Sequence, residues 1–545
     1  LASGLAFRTI IAYYLPAGFD ESYYFLYTQH LNWSYFDHPP AVAWSTGFGV
    51  WLTGNVSPFT IRLGSLGLFT ASLVLMFATG KQLFGSRAGL LSCAIASLAP
   101  LFFLSFGTLT APDNALIFCW SVALYLCALE FFPTPPFNQA LSYQPTYRLA
   151  LIATAIGFTC LSKYHGFLLG LSLVCFCASQ RQYRQALTSK WFCLGLVLFA
   201  TTQLPVLYWN SQHDWISFRF QLGDRFTAYG DQTHDYSWSA LLGAFSAQIG
   251  YLFPSIALPI WWVSLKATFS QLRQRLFGYQ RYFVRLSKPT EYLSTRITFL
   301  LWSGLPVALG FTLLAGATHT FPAWPAPGLW SLTLLLGYSA SRWRHTSVRK
   351  WFSITSWSIG ILLMFALSHI TIGTLQQEGD HAIGHGFVAI ETDPSTELID
   401  AVQLRQVLVE SEVFERATAS ADFIVTPEFW LSGYIAMALP PSYHLPVTSF
   451  TPDPRGHAFW FKPANWIGKD ALLISAKKQE ITETANRQGG VIIAPSTQPH
   501  NENIGAYFQS LTPITEIATQ RGGEISKVFY LYSAKNLLWP YPYTY

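Results

Sequence analysis

The sequence predicts a polytopic α-helical membrane protein with about eleven transmembrane helices, followed by a smaller α/β domain. Hydrophobic residues make up 51% of the 545 residues and charged residues only 11%, whereas soluble domains carry about 25% charged residues. Apolar runs recur as far as residue 372, and charged residues and turn signals return from Glu378 onward. The net charge of +5 comes mostly from short loops between spans and does not indicate a nucleic-acid partner.

Eleven apolar segments are the candidate spans. The first, 1–15, is shorter than the ~20 residues that a span needs, so we expect it to be the end of a helix that begins before this sequence. The others lie at roughly 60–82, 88–107, 113–132, 148–162, 165–179, 191–208, 239–264, 296–316, 323–341 and 351–372. The segment 38–54 is also apolar but short, and Pro39-Pro40 suits a helix start. We expect an interfacial helix there, within a first loop of residues 16–60.

Lys and Arg predict the orientation, because they concentrate in cytoplasmic loops. One set of loops carries most of them: Lys81, Arg87, Arg148, Arg181, Arg184, Lys190, Lys266, Arg273, Arg275, Arg281, Arg285, Lys288, Arg342, Arg344, Arg349 and Lys350. The alternate set carries few: Arg62, Lys163, Arg219 and Arg225. We therefore expect a multi-pass protein of the plasma (inner) membrane whose alternate loops, and everything after about residue 373, lie outside the cytoplasm.

Residues 376–545 are predicted to form an extracytoplasmic α/β domain after a transmembrane domain of residues 1–375. Candidate strands are Phe387–Ile390, Phe423–Thr426, His457–Phe461, Ala471–Ser475, Gly490–Ala494 and Ile525–Tyr532, and candidate helices are Thr396–Thr418, Phe429–Leu439 and Lys477–Arg487. Mixed strands and helices over this length favour one small α/β domain. The last of the seven cysteines is Cys193, so this domain has no disulfide framework.

Three carboxylates lie in the first loop between two apolar runs. Asp20 and Glu21 follow the first span directly, and Asp37 precedes His38 and Pro39-Pro40. Carboxylates at the edge of a bilayer are costly to keep and mark functional sites. Each also has a simple structural interpretation, as a cap at the start of a helix. Position alone does not separate the two interpretations.

Further polar residues are expected on the same membrane face. Asp113 follows Pro112 at the start of a span, and Lys163-Tyr164 separates two short apolar runs. Arg225 lies in the 209–238 loop, and His319 lies in a turn that contains several prolines. Lys163 could instead be a lysine that snorkels to the membrane surface, and the stretch with Arg225 could be a solvated surface helix. Taken together, these residues suit glycosyl transfer from a lipid phosphate, with a carboxylate as general base and cations on the departing phosphate.

Several short motifs then occur in a specific order: Phe19–Tyr24, Tyr35–Pro40, Thr110–Asp113, Leu161–Tyr164, Trp209–Trp215 and Ala323–Pro327. In this order they resemble the bacterial branch of the dolichyl-phosphate-mannose protein mannosyltransferase superfamily, related to lipid A aminoarabinose transferases. The resemblance covers nearly the whole chain. It implies a GT-C fold and inverting transfer of a monosaccharide from a polyprenyl-phosphate donor to a cell-envelope acceptor (glycan, lipid or protein).

The resemblance also implies roles for single residues. Asp20 matches the catalytic carboxylate of the family. In our own interpretation, Glu21 or Asp37 positions Asp20 or the acceptor. His38 replaces a lysine of the aminoarabinose branch, and Tyr23 replaces an arginine of that branch. The candidate substrate- and phosphate-binding residues are Tyr24, His38, Asp113, Lys163, Tyr164, Arg225 and His319. No cofactor and no bound metal are implied, although Asp20, Asp37 and His38 have donor atoms for a divalent cation.

Two other function classes remain open at this stage. A lipid or sugar transporter or flippase would place its carboxylates near the bilayer midplane, between repeated halves. Here they cluster at one membrane edge and no internal repeat is visible. A non-catalytic scaffold or receptor would leave the ordered motifs unexplained.

Overall fold

The computed structural model describes residues 1–133, 143–224, 236–277, 288–440, 442–478 and 504–543. Its α-helices up to residue 372 are α1 Ala2–Tyr14, α2 Phe19–Gln29, α3 Ala41–Thr53, α4 Pro58–Phe84, α5 Ser86–Leu98, α6 Pro112–Phe131, α7 Arg148–Ser162, α8 Gly166–Ser179, α9 Lys190–Ser211, α10 Ile216–Arg219, α11 Trp238–Leu252, α12 Pro254–Phe277, α13 Lys288–Leu314, α14 Ala326–Ser341 and α15 His345–Ile372. The predicted interfacial segment 38–54 is helical as α3.

Within these described ranges, five helices are long and apolar enough to cross a bilayer: α4, α6, α9, α13 and α15. The segment 239–264, predicted as one span, is instead the pair α11 and α12, bent by 117°. The bend lies at Phe253, which has a φ of 74° and precedes Pro254. A residue before proline is disfavoured in the helical region. If the bent pair counts as one span, six spans among the described residues are long and apolar enough. The predicted number of about eleven is larger because it also counted shorter apolar segments such as α5, α7 and α8.

The chain divides into two compact units. The first comprises 1–10, 33–45 and 64–362, and the second comprises 11–32, 46–63 and 363–545. The predicted domain boundary at residue 375 stays a prediction.

Helices of the first unit pack closely through small residues and paired polar groups. A Cβ on Gly80 of α4 would lie 2.7 Å from Gly89 of α5, so only glycine permits this approach. Gly304 of α13 and Gly328 of α14 meet in the same way. Reciprocal bonds join α6 to α14: the Trp120 indole donates to Ser331 (2.9 Å), and the Trp330 indole to Ser121 (2.9 Å).

The second unit contains a five-stranded sheet in the order β2-β1-β3-β5-β4. Its strands are β1 Phe423–Thr426, β2 Val447–Ser449, β3 Ala471–Ser475, β4 Phe508–Arg521 and β5 Glu524–Leu537, and its helices include α16 Ala401–Glu410, α17 Glu412–Ala419, α18 Phe429–Ala438 and α19 His457–Trp460. Strands β2, β1 and β3 are parallel, and β5 pairs antiparallel with both β3 and β4. A buried cluster rich in aromatic side chains forms the core beneath the sheet.

Several predicted elements of this region were wrong. The predicted strand His457–Phe461 is the short helix α19. Residues 387–390 form no strand, and only an isolated bridge joins Gln376 to Val388. The predicted helix Thr396–Thr418 is split into α16 and α17, because the Ser411 hydroxyl caps the Phe414 amide (3.2 Å) and starts a new helix.

Two strands were missed, and two predicted elements fall on other residues. Strand β4 contains Pro513 and lies at the edge of the sheet, where a proline is tolerated. Strand β2 has only three residues. The predicted strand Gly490–Ala494 and the predicted helix Lys477–Arg487, from residue 479 on, lie outside the described residues.

In the second unit, α2 packs against α18. The Ser22 hydroxyl donates to the Trp430 carbonyl (3.1 Å), and a Cβ on Gly433 would lie 2.3 Å from the Ser22 carbonyl oxygen. Phe19 packs on Trp430 with ring centroids 4.8 Å apart. The C-terminal part of the chain thus supports the helix that carries Asp20 and Glu21.

Candidate active site

The adjacent carboxylates Asp20 and Glu21 have opposite environments. Both belong to the first turn of α2. Asp20 is exposed, whereas the Glu21 residue is only 2% exposed. The helical geometry explains the difference, because consecutive residues point about 100° apart around the axis.

Glu21 forms a buried ion pair with Arg62 of α4. The guanidinium donates through Nε to Glu21 Oε1 (2.8 Å) and through Nη2 to Glu21 Oε2 (2.5 Å). Its other N–H groups donate to the carbonyls of Ala12, Leu15 and Pro16 at 2.6–3.0 Å. A guanidinium has five N–H donors, and all five have acceptors here. Arg62 therefore links the end of α1, through its carbonyls, to the start of α2, through the Glu21 side chain.

The turn between α1 and α2 is also bonded from other directions. The Gly18 amide donates to Glu21 Oε2 (2.8 Å), and the Tyr434 hydroxyl donates to the Ala17 carbonyl (2.6 Å). The backbone that leads to Asp20 is thus held at successive residues. Such support fixes the direction in which the Asp20 side chain leaves the helix.

In the first unit, Lys163 and Asp113 form an ion pair. The Lys163 ammonium lies 2.9 Å and 3.0 Å from the two carboxylate oxygens of Asp113. Lys163 directly follows α7, and Asp113 is in the first turn of α6. The Asn114 side chain accepts a bond from the Ala111 amide and donates to carbonyls of the preceding turn, which orders the start of α6. The ammonium is held beside a helix N-terminus, a combination that attracts anions.

A second polar group of this unit surrounds Asp37. Asp37 is 3% exposed and His38 is 9% exposed. The Asp37 carbonyl accepts a bond from Gln221 (2.7 Å). The Tyr164 ring packs on Phe218 with ring centroids 5.7 Å apart, and its hydroxyl oxygen is buried. The structure thus brings Asp37, His38 and Tyr164 into buried polar surroundings.

The remaining predicted residues have less distinctive surroundings. Tyr24 is buried and packs edge-on against Tyr27, with centroids 5.7 Å apart. His319 is exposed and lies edge-on to Phe321 (5.4 Å). Arg225 lies outside the described residues. Among the described residues, no group of three or more His, Cys, Asp or Glu could hold a metal ion.

Sequence reasoning missed the residues that support the site. Arg62 was noted only as one of few basic residues in its set of loops, although an arginine within an apolar run is itself a signal. Asn210 belongs to the motif Trp209–Trp215 but was given no role, and Ser217 was missed. The Ser217 amide donates to Asn210 Oδ1 (3.1 Å), and the Ser217 hydroxyl donates to the Tyr35 carbonyl (3.1 Å). Nothing in the local sequence marked Tyr434 as a partner of Ala17.

Comparisons with known proteins agree with the resemblance inferred from the motifs. A family model described as dolichyl-phosphate-mannose-protein mannosyltransferase matches residues 37–209. The lipid A galacturonosyltransferase RgtD of Rhizobium johnstonii is 25% identical over 336 residues, and the match covers 58% of this chain and 59% of that protein. The match thus spans less than two thirds of the curated relative.

Solved structures match over nearly the whole length. ArnT from Cupriavidus metallidurans bound to undecaprenyl phosphate covers 97% of this chain and 96% of its own, with a TM-score of 0.57 and 14% identity. The apo state of the same protein gives a TM-score of 0.58 at the same coverage and identity. This chain is therefore a multi-pass membrane protein of the GT-C fold. Part of it is similar to the dolichyl-phosphate-mannose-protein mannosyltransferase family and to a lipid A galacturonosyltransferase.

Proposed function

We propose that the chain is an inverting glycosyltransferase that moves a monosaccharide from a polyprenyl-phosphate donor to a cell-envelope acceptor. The observation that carries the proposal is the contrast between Asp20 and Glu21. Glu21 is buried and bonded to Arg62, and the adjacent Asp20 is exposed on the helix that this ion pair holds in place.

Asp20 acts as the general base in this proposal. Its carboxylate takes the proton of the acceptor hydroxyl as that oxygen attacks the anomeric carbon of the donor sugar. The bond from the anomeric carbon to the phosphate oxygen breaks, and the phosphate leaves with the electron pair. A single displacement inverts the anomeric configuration, and the acidic phosphate leaves without a general acid.

Lys163 binds the phosphate whose charge grows during this step. Its ion pair with Asp113 holds the ammonium in place before the donor arrives. When the phosphate binds, the ammonium lies between two anionic groups and its position is retained. Asp37, His38, Tyr164, Tyr24, Arg225 and His319 are proposed to complete the donor and acceptor contacts.

The relatives suggest which donor and acceptor to test first. One solved relative is titled as bound to undecaprenyl phosphate, and the curated relative is named a lipid A galacturonosyltransferase. We propose an undecaprenyl-phosphate-linked sugar and a lipid or glycan of the envelope. The reaction is placed at the outer face of the plasma membrane, with the C-terminal domain on that side, because the basic loops predict this orientation.

The test is a reconstituted transfer reaction. The purified chain in lipid nanodiscs is incubated with undecaprenyl-phosphate sugars and an envelope lipid extract, and release of undecaprenyl phosphate is followed by mass spectrometry. Release that depends on acceptor and on Asp20 supports the proposal. The relatives are named as transferases, which favours this function over a transporter. A proteoliposome assay in which the intact sugar lipid crosses the bilayer without cleavage would favour the transporter instead.

A further inference from the structure

The parallel strands of the second unit end together at one edge of the sheet. Strands β2, β1 and β3 run in the same direction and end at Ser449, Thr426 and Ser475. In α/β sheets, ligands bind outside the carboxyl ends of parallel strands. The residues just beyond these ends are therefore the ones to examine for a binding site.

Four charged residues follow these three strands. Glu428 comes two residues after β1, Asp453 and Arg455 follow β2, and Lys477 follows β3. We call this set the carboxyl edge. It lies apart from Asp20, Lys163 and Asp37 in the sequence, and the proposed transfer step does not use it.

Glu428 carries a buried carboxylate oxygen. Its Oε2 accepts no hydrogen bond from any residue that the structure describes. Burial raises the pKa of Glu428, while the charges of Lys477 and Lys527 act in the opposite direction and Glu397 reinforces the shift. Lys527 is itself held by Glu397 at 2.8 Å. A buried acceptor without a donor requires an explanation, and it marks Glu428 as a residue whose role the fold alone does not explain.

Arg455 is held in a strained and oriented conformation. Its φ of 47° lies in the left-handed region, which is uncommon for residues other than glycine. The guanidinium carbon lies 4.0 Å from the centroid of the Phe429 ring, and Nε lies 3.2 Å from Asp453 Oδ2. Backbone strain of this kind clusters at binding sites. A stacked, planar guanidinium matches the geometry of carboxylate and phosphate.

The carboxyl edge is bonded to the helix that carries Asp20. The Gly456 amide donates to the Tyr23 hydroxyl (2.9 Å), and the Arg455 guanidinium lies 5.9 Å from the Tyr23 ring centroid. A Cβ on Gly456 would lie 2.4 Å from the Trp460 ring, so this approach requires glycine. Tyr23 lies three residues after Asp20, on the neighbouring turn of the same side of α2.

We propose that the carboxyl edge binds an acidic saccharide unit of the acceptor. Arg455 and Lys477 bind its carboxylate or phosphate, and the Glu428 carboxylate accepts hydrogen bonds from its hydroxyls. That this saccharide belongs to the acceptor of the transfer rests on the proposed function, whereas the binding of an acidic saccharide does not. Positioned beside α2, the acidic unit would hold the neighbouring acceptor hydroxyl close to the general base.

The test measures binding of three sugars to the full chain in nanodiscs by saturation-transfer NMR: galacturonic acid, galactose 6-phosphate and methyl galactoside. We expect at least one acidic sugar to bind ten-fold or more tightly than the neutral sugar. Preference for galacturonic acid identifies a carboxylate ligand, preference for galactose 6-phosphate identifies a phosphate ligand, and both results support the proposal. Equal binding of all three sugars, or no binding, overturns it.

Variants locate the binding. Arg455→Gln should weaken the acidic sugar ten-fold or more, and Glu428→Gln, which keeps the shape of the side chain, should weaken it several-fold. The matched control is Arg416→Gln, since Arg416 is exposed on α17. Asp20→Asn should bind the sugar normally, so failure of the transfer proposal is distinguishable from failure of this one. Wild-type affinity in both Arg455→Gln and Glu428→Gln overturns the proposal.

Discussion

At the scale of single residues, the candidate site depends on how charge is distributed between neighbours. Glu21 and Asp20 are adjacent, yet Glu21 is buried against the Arg62 guanidinium while Asp20 is exposed. Lys163 meets Asp113 across fifty positions of sequence. In each case the partner that the fold places beside a charged side chain determines whether that side chain is held in a buried ion pair.

Asp20→Asn should abolish transfer without changing stability. The amide cannot accept the proton of the acceptor, and general bases contribute roughly 10²–10⁴-fold to rate. Because the side chain is exposed, the unfolding temperature should match the wild type. Steady-state release of undecaprenyl phosphate measures the rate. Glu412→Gln, at an exposed carboxylate of α17, is the control, and a rate for Asp20→Asn close to that control would contradict the assignment.

Lys163→Ala should raise the KM for the donor more than the KM for the acceptor. The substitution removes the ammonium that we place on the donor phosphate, and a charge-assisted hydrogen bond is worth roughly 1.5–3 kcal/mol, or about ten-fold or more in KM. Titration of each substrate at saturation of the other measures the two constants. Lys190→Ala is the control, at an exposed lysine at the start of α9. An unchanged donor KM would remove Lys163 from the phosphate site.

At the scale of elements, α2 owes its position to α4, α18 and the end of α1. Arg62 donates hydrogen bonds to carbonyls that have no helical partner at the end of α1. Glu21 accepts a hydrogen bond from the Gly18 amide at the start of α2. Helix ends leave four such groups each without internal partners. The ion pair therefore replaces two separate caps, and α18 adds the hydroxyl of Tyr434 to the same turn.

Arg62→Met should destabilise the protein strongly, by roughly 3–5 kcal/mol, because it leaves the Glu21 charge buried without a partner. Adding Glu21→Gln should recover part of the loss, since a neutral amide costs less to bury. Denaturant unfolding in detergent micelles of both single variants and the double variant measures the coupling. If the losses of unfolding free energy in the two single variants summed to the loss in the double variant, Arg62 and Glu21 would not be energetically coupled.

At the scale of the whole molecule, each compact unit combines distant stretches of the chain. The second unit joins residues 11–32 and 46–63 to the C-terminal region. Its core includes His457, which is fully buried, with Nε2 2.8 Å from the Ser432 hydroxyl. Burial lowers the pKa of His457 to about 3, a hydrogen bond with the Phe429 backbone opposes this shift, and the nearby His30 adds to it.

The stability of this unit should therefore fall as the pH falls below about 6.5, the unperturbed pKa of histidine. Between that pH and about 3, the unfolded chain binds a proton at this position that the folded chain does not bind, so stability rises with pH. The slope is at most about 1.4 kcal/mol per pH unit for one proton. Unfolding of wild type and His457→Gln at pH 7.5 and 5.0 measures it. An identical pH dependence in both proteins would contradict the buried neutral state.

The orientation of the C-terminal domain can be tested in intact cells. Arg416→Cys, on the exposed surface of α17, should react with a membrane-impermeant maleimide without permeabilisation. Arg184→Cys, in an exposed stretch of the predicted cytoplasmic loops, should react only after permeabilisation. The parent chain reports the background from its own cysteines. The reverse pattern would invert the predicted topology.

The amino-acid sequence by itself determined the class of this protein. The apolar runs, the order of the short motifs and the strands Phe423–Thr426 and Ala471–Ser475 all depend on local composition and periodicity, which are visible in one dimension. The assignment of elements failed where a bend at Phe253-Pro254 divides a continuous apolar run, and where strand β4 contains a proline.

Only the tertiary structure decided which of the two adjacent carboxylates is buried and which is exposed. The pairing of Glu21 with Arg62, of Lys163 with Asp113 and of Arg455 with Phe429 joins residues that are 41, 50 and 26 positions apart. The residue type in the sequence does not reveal whether a charged side chain is buried and paired or exposed. Its chemistry depends on desolvation and on the nearest opposite charge, and both are properties of the folded chain.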